Sequence, residues 1–361
     1  MRIRLTHPAL SLAISAALVA TACTAAATPS PAPTAAPTAA PTAAGSVAPE
    51  TTPLPGTKTF TVAFTSRGLS SVTMMEAIAV LNSQGYKIDT PEIAQSNLIV
   101  EGILQNQFQV TSGTTLSFLV AAQKNGPIRS IGNRLNNEWT LTSVAAIKSC
   151  NDTNGKVWAH HTESAVSTAM ARAWVATNCT GGKSTAQEVF IQGSDVRRAA
   201  LGAGQIDIAE LELSDAMAIT AGDGATKYNV VAPFNKDLPN LKPSMIAANS
   251  TWMAENPGSV VALLKATIEQ NRKISDDATG AYLRSLAEKH VPNAIQAATI
   301  GPIAKSYAEA KLFPGDGGVV ASDITYTIKF FEDSGSLPKG LTPATAADLT
   351  FLNLALKELG G

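Results

Sequence analysis

The chain alternates strand-type and helix-type segments twice over and then turns almost wholly helical. That order constrains its fold more than any other feature. Residues 59–66 (TFTVAFTS) are rich in β-branched and aromatic side chains and end in a Ser-Arg-Gly loop, which predicts a strand. Residues 73–84 carry Met74, Ile78 and Leu81 at helix spacing, with Gly85 as a stop signal. Further strands are expected at 86–93, 108–111, 128–132 and 139–147, with helices at 97–106 and 116–124. The pattern then restarts, with strands at 156–161, 188–192, 206–213 and 228–234 and helices at 165–176, 195–202 and 215–221. A last strand, 245–248, precedes a helical C-terminal segment. This repetition signals an α/β chain with mainly parallel sheets flanked by helices.

Two such units with a late helical segment predict two lobes, the first of them discontinuous. The expected boundaries are 57–143 with 243–361 for lobe one, and 144–242 for lobe two. Residues 139–147 and 238–248 are the expected crossovers. Ligands of open parallel sheets bind beyond the carboxyl ends of the strands. Two lobes facing each other there form a cleft that closes on a solute by hinge motion.

The N-terminal stretch is an address. Arg2 and Arg4 precede an apolar run over 10–22, short of the ~20 residues that a spanning helix needs. Residues 1–22 read as a signal peptide. Ala20-Thr21-Ala22-Cys23 resembles a bacterial lipobox, with Ala20 where that motif prefers Leu. The resemblance implies that Cys23 is the lipidated, palmitate-bearing first residue of an exported protein. That protein would be anchored at the bacterial cell membrane and face the periplasm or the cell exterior. Cleavage by ordinary signal peptidase is the alternative. Residues 23–56 continue as an Ala/Pro/Thr-rich stretch with one charged residue, Glu50, and read as a disordered stalk.

Three cysteines are present. With Cys23 assigned to lipid, Cys150 and Cys179 remain, and export favours a disulfide between them. Such a bridge would close a loop of about 30 residues and contribute roughly 3.6 kcal/mol. Two buried thiols are the alternative. No C-x-x-C occurs, so neither a redox motif nor a zinc ribbon is supported.

Composition removes other classes. Lys+Arg total 27 and Asp+Glu 28, and charged residues make up 15% of the chain, against roughly 25% in an average protein. A chain this neutral carries no electrostatic footprint for nucleic acid. No H-E-x-x-H or G-x-S-x-G occurs, and Gly202-Ala203-Gly204 lacks the third glycine of a dinucleotide fingerprint. His160 and His161 are adjacent on an expected strand, so they point to opposite faces and make poor joint metal ligands. Neither metal, cofactor nor enzymatic activity is expected.

Several stretches carry a family resemblance. They are VAFTSRG (62–68), QVTSGTTLSFLVAAQKNGPIRSIG (109–132), NDTNGKVWAHHTESAVSTAMARAW (151–174), AALGAGQIDIAEL (199–211) and WMAENPGSVVALLKATIEQNR (252–272). In this order they resemble the ABC-transporter solute-binding lipoproteins of the nitrate/sulfonate/taurine and thiamine-pyrimidine-precursor binding family. The resemblance implies a two-lobed periplasmic-binding-protein fold of type II and a monomer. It also implies capture of a small organic solute without catalysis and delivery to an ABC permease in the membrane. One branch with this fold makes a thiamine pyrimidine with clustered cysteines, which this chain lacks. A surface sensor or interaction module with the same fold is the alternative.

Candidate ligand-binding residues follow from the loops beyond the strands. Thr65, Ser66 and Arg67 offer hydroxyls and a planar fork for an anion, or else form a solvent-facing turn. Gly113, Thr114 and Thr115 precede a helix, where backbone N–H groups hold an anion or are simply capped. His161, Thr162, Glu163, Ser164 and Ser167 stand in the equivalent place in lobe two. Glu210 and Glu212 would share a strand face and accept from an amine or amidine, or line a solvated edge. Arg134 and Trp139 stand at the crossover, to close over a ligand or to pack the hinge. The charge of the solute stays open: Arg67 and the helix N-termini favour a sulfonate or carboxylate, and Glu163, Glu210 and Glu212 an amino-heterocycle.

Overall fold

The computed structural model describes residues 53–113, 115–293 and 297–360. The expected signal segment, Cys23, the expected stalk up to residue 52 and Thr114 lie outside the described residues. In chain order the strands are β1 (Thr59–Phe64), β2 (Lys87–Asp89), β3 (Val110–Ser112), β4 (Ile128–Leu135), β5 (Trp139–Val144), β6 (Val157–His160), β7 (Gln187–Phe190), β8 (Ile208–Glu212), β9 (Tyr228–Ala232) and β10 (Ser244–Asn249). They form two five-stranded sheets, ordered β2-β1-β3-β10-β4 and β7-β6-β8-β5-β9. The chain is thus an α/β protein with one sheet in each lobe.

Both sheets are mixed in the same way. In the first, β1 runs parallel to β2 and β3, while β10 is antiparallel to both β3 and β4. In the second, β6 runs parallel to β7 and β8, while β5 is antiparallel to β8 and β9. Each reversed strand is the one that has just crossed from the other lobe. Four strands of each sheet therefore share a direction, and their carboxyl ends face a common cleft.

The first crossing occurs earlier than the sequence reading placed it. All of β5 pairs within the second sheet, Trp139 with Glu212 and Ser143 with Ile208. The chain leaves the first sheet at Leu135 and enters the second at Trp139, not at 143/144. Composition could not mark the point, because β4 and β5 are both mostly buried and follow each other after three residues.

Helices α1 (Val72–Ser83), α2 (Ser96–Leu104) and α3 (Thr115–Gln123) cover the first sheet, and α4 (Val166–Asn178), α5 (Ser194–Gly202) and α6 (Leu213–Thr220) the second. The crossover rule puts α4 and α5 on opposite faces. Trp158, Ile208, Met170 and Ala171 accordingly pack on one side, and Ala159, Ala209, Leu211, Ala200 and Leu201 on the other. The C-terminal helices return to lobe one. The longest, Pro257–Asp276, has Pro at its first turn, where the missing N–H costs nothing. It buries Val260, Val261, Leu264 and Ile268.

Cys150 and Cys179 are joined as a disulfide. It ties the loop before β6 to the end of α4. The last residues of the expected stalk lie against lobe one. Gly258 N–H donates to Pro55 O at 2.8 Å, Thr57 N–H donates to Asn256 Oδ1 at 2.9 Å, and a Cβ on Gly258 would stand 2.5 Å from Leu54 O. Among the described residues no helix is long and apolar enough to cross a membrane.

Candidate functional site

A cavity of about 330 Å³ lies between the lobes. Lobe one contributes Thr65 and Ser66 after β1, Gly113 after β3 and Arg134 near the end of β4. Lobe two contributes His161 after β6, Ser164 and Ser167 at the start of α4, the segment 192–197 after β7, and Glu212 at the end of β8. Glu138 and Trp139 line it from the first crossing, Pro243 and Ser244 from the second. This is the position that strand direction dictates for a ligand.

Two arginines are buried in its walls. Arg134 Nε donates to Ser112 Oγ at 2.8 Å and Nη1 to Ser71 Oγ at 3.0 Å and to Ser70 O. Arg197 Nε donates to Glu210 O and Nη1 to Ile191 O, each at 2.9 Å. Arg197 Nη2 is buried and has no partner among the described residues, and the guanidinium carbon lies 5.9 Å from the centre of the Trp139 ring. Ser167 Oγ, on the same wall, is likewise buried without a partner. Burial lowers the pKa of both arginines, yet a guanidinium stays charged in proteins.

Two helices begin at the cavity without side-chain caps. Ala165 precedes α4 and Gly193 precedes α5, and neither makes a capping bond. Their first N–H groups and dipoles favour negative charge. His161 stands between them. Gly193 N–H and Arg197 Nη1 both lie 3.3 Å from its Nδ1. Two donors facing one ring nitrogen make it the acceptor, so the proton sits on Nε2. Burial, then the Arg197 charge, pushes the pKa of His161 down to about 4.

Carboxyl groups complete the lining. Glu138 is 2% exposed, and burial raises its pKa to about 7, offset in part by the Tyr307 hydroxyl and Arg134. Glu212 is raised well above the usual range by burial, then by the charges of Glu138 and Asp215. Arg134, Arg197, Glu138 and Glu212 make no ion pair among the described residues. Two guanidiniums therefore share one cleft with the carboxyls of Glu92, Glu138, Asp195 and Glu212, and burial favours the protonated form of Glu138 and Glu212 where no ion pair holds them charged.

Of the residues singled out from sequence, Thr65, Ser66, Gly113, Arg134, Trp139, His161, Ser164, Ser167 and Glu212 line the cavity. The others are placed elsewhere, Thr114 lying outside the described residues. Arg67 is exposed, with Nη2 2.7 Å from Thr90 Oγ1, and lines a smaller neighbouring pocket with Ser194, Asp195 and Glu212 rather than the cavity itself. Thr115 is buried and joins α3 to β10, its Oγ1 donating to Pro243 O at 2.9 Å and accepting from Met245 N–H at 3.1 Å. Thr162 gives its carbonyl to Thr168 Oγ1 at 2.8 Å. Glu163 is exposed and paired with Arg172 at 3.0 Å. Glu210 is fully buried between the sheet and α4. Its Oε1 accepts from Trp158 Nε1 at 2.7 Å and lies 3.0 Å from His160 Nδ1. It is a core carboxylate on a central strand, not a ligand group or a solvated edge.

Sequence reasoning missed Glu138, Ser194 and Arg197. Arg197 had a signal. It stands three and four residues before Ala200 and Leu201, so it shares their buried helix face, where a charge is out of place. Glu138 lies in Asn-Asn-Glu-Trp between strands and had none. Among the described residues no cluster of three His, Cys, Asp or Glu suits a metal ion.

The family described as NMT1/THI5 like matches residues 82–270, a little over half of the chain. No curated protein matches the sequence. The fold is similar to that of the periplasmic nitrate-binding protein NrtA from Synechocystis PCC 6803, with 10% identity and a TM-score of 0.65 over 85% of this chain and 90% of that one. It is similar to the alkanesulfonate-binding protein SsuA from Xanthomonas axonopodis pv. citri, solved bound to MOPS, with 16% identity and a TM-score of 0.61 over 81% and 98%. It is also similar to the desulfurization enzyme DSZB, with 14% identity and a TM-score of 0.58 over 83% and 99%. The fold thus serves binding proteins and at least one enzyme.

Proposed function

The chain belongs to the NMT1/THI5-like family, and from that premise we propose that it is an extracytoplasmic solute-binding protein that delivers a small organic solute to an ABC importer. In this reading Cys23 is lipidated and holds the protein at the bacterial cell membrane, facing the periplasm or the exterior. The solute is held in the interlobe cleft, and its anionic group, a sulfonate or carboxylate, meets lobe two.

The observation that carries this reading is Arg197 Nη2. It is a buried, charged donor with no partner, set at a cavity onto which two uncapped helix N-termini open. A charged donor buried without an acceptor is costly, and an anion removes that cost. The fold neighbours that bind nitrate and alkanesulfonate support the same class. Both described cysteines are tied in the disulfide, so neither is a free thiol nucleophile.

Calorimetry and thermal shift of residues 53–361 against alkanesulfonates, carboxylates and nitrate test it. Saturable binding with a raised melting temperature, lost in Arg197→Ala, is expected. Unchanged melting across the panel would count against the reading. The mass of the N-terminal peptide from protein made in its own cells tests lipidation of Cys23.

A further inference from the structure

We propose that Glu138 is the specificity-determining residue of the cleft, receiving an amine of an amphoteric solute whose anionic end meets Arg197, and that Tyr307 is the positioning residue that aims it. This rests on the reading of the cleft as a solute site and narrows the class of solute.

Glu138 stands between β4 and β5, where the chain passes from one lobe to the other. Its Oε2 accepts the hydroxyl of Tyr307. That phenol belongs to the C-terminal helix Ala297–Glu309 and is fully buried among Leu312, Phe313, Ile303 and Leu69. Its oxygen also accepts the N–H of Ser214, in the first turn of α6, at 3.2 Å. Both hydrogen-bonding roles of the hydroxyl are therefore used, and Oε2 is fixed from behind. Glu138 Oε1 has no hydrogen bond among the described residues, and the residue lines the cavity.

The charged and titratable groups facing Glu138 are Arg134, Asp215, Glu212 and Tyr307. Arg134 spends its Nε and Nη1 on Ser112, Ser70 and Ser71 and makes no ion pair with Glu138. Among the described residues no cation therefore neutralises Glu138 at contact distance. A solute with an anion alone would satisfy Arg197 and leave Glu138 Oε1 unmatched beside Glu212. A solute with an anion at one end and an amine at the other satisfies both walls. Hydrogen bonds that involve a charged group are about twice as strong as neutral ones, so this second contact should set preference rather than merely add to it.

The test compares matched probes, 3-aminopropanesulfonate with propane-1-sulfonate and their longer homologues, on the wild type, Glu138→Gln and Tyr307→Phe. Wild type should prefer the amino compound by more than about tenfold at its best chain length, the gain expected of one charge-assisted contact. The variants should lose most of that preference, read as the ratio of the two affinities within each protein. Calorimetry at pH 7 in buffers of different ionisation enthalpy adds a readout that a purely structural role would not move. An amine should displace the proton that burial keeps on Glu138 near neutral pH, and a plain anion should not. Equal or tighter binding of the plain sulfonates by wild type would overturn the proposal and leave the solute-binding reading standing. Binding of no probe would count against both. Should Glu138→Gln fail to fold, the wild-type comparison and its proton count decide. An unaltered preference in folded Tyr307→Phe would remove the positioning role.

Discussion

The Arg197 guanidinium faces the indole of Trp139, its carbon 5.9 Å from the ring centre. One group comes from the first turns of α5, the other from the first residue of β5. The aromatic face stabilises the cation without taking up its N–H donors, so Nη2 keeps no hydrogen-bond partner among the described residues.

Arg197→Lys should therefore weaken anion binding by about a hundredfold. A lysine keeps the charge but loses the planar fork and its hold on Glu210 O and Ile191 O. Calorimetry measures the affinity, and Trp139 provides a fluorescence signal in the cleft. An affinity within a few-fold of wild type would show that the anion lies elsewhere.

Gly113 has φ of +87°, and a Cβ there would stand 3.3 Å from Thr65 Oγ1 and 3.8 Å from Arg134 Nη2. Gly113→Ala should cost about 1 kcal/mol of stability through backbone strain. It should also reduce solute affinity by about tenfold, because the new methyl fills cleft volume between two polar groups. Melting curves and binding isotherms separate the two effects.

Glu210→Ala should do the opposite. It leaves Trp158 Nε1 and His160 Nδ1 without their buried acceptor, at a cost of about 3 kcal/mol. Affinity in the protein that remains folded should stay within about twofold. Denaturant melts paired with calorimetry at low temperature check this.

Cleaving the Cys150–Cys179 bond should destabilise lobe two. The paired serine variant frees the loop spanning 150–179 and should lose about 3–4 kcal/mol. Urea melts with and without reductant measure the difference, and reductant should not affect the variant.

Acid and base should act on the cleft in opposite senses. Burial raises the Glu138 carboxyl to about 7, so between the ordinary carboxyl range and pH 7 the folded chain holds a proton that the unfolded chain has lost. That contribution is complete at low pH and is lost as pH rises through 7, by up to about 3 kcal/mol. His161 is depressed to about 4, so its contribution is complete above its ordinary pKa and is lost as pH falls towards 4. Arg134, Asp215, Glu212 and Tyr307 face position 138 in both proteins, and Glu212 feels the charge there, so the stability difference between wild type and Glu138→Gln reports the share of the carboxyl pair. A difference that does not change between pH 4.5 and 7.5 would contradict the assignment.

Much of this architecture is legible in the sequence, because periodicity reports burial. The alternation of β-branched runs with 3.6-period segments indicated two α/β units, and counting outward from strand ends led to Thr65, Gly113 and His161 at the cleft wall. Periodicity does not report strand direction, so the reversal of β5 and β10 was not visible and the crossing was placed too late. It also says little about side chains that defy their type. Arg67 and Glu163 look like ligand groups, yet Arg67 bonds to Thr90 beside a neighbouring pocket and Glu163 turns outward to Arg172. Arg197 and Glu138 look like surface charges and are buried. Glu210 and Glu212 are two residues apart on one strand, yet one is sealed under α4 and the other lines the cavity. Depth along a strand separates them, and alternation alone cannot.

The chain enters the described body along Pro55–Thr57, hydrogen-bonded to Asn256 and Gly258 at the head of the longest C-terminal helix. All of these belong to lobe one. Whatever holds the N-terminal side of the protein therefore grips lobe one, and lobe two is joined to it covalently through two crossings, at Glu138 and near Pro243. In mechanical terms lobe one is the stator and lobe two the rotor. Arg197, carried by the rotor, would travel, whereas Glu138 sits close to the axle and would move least.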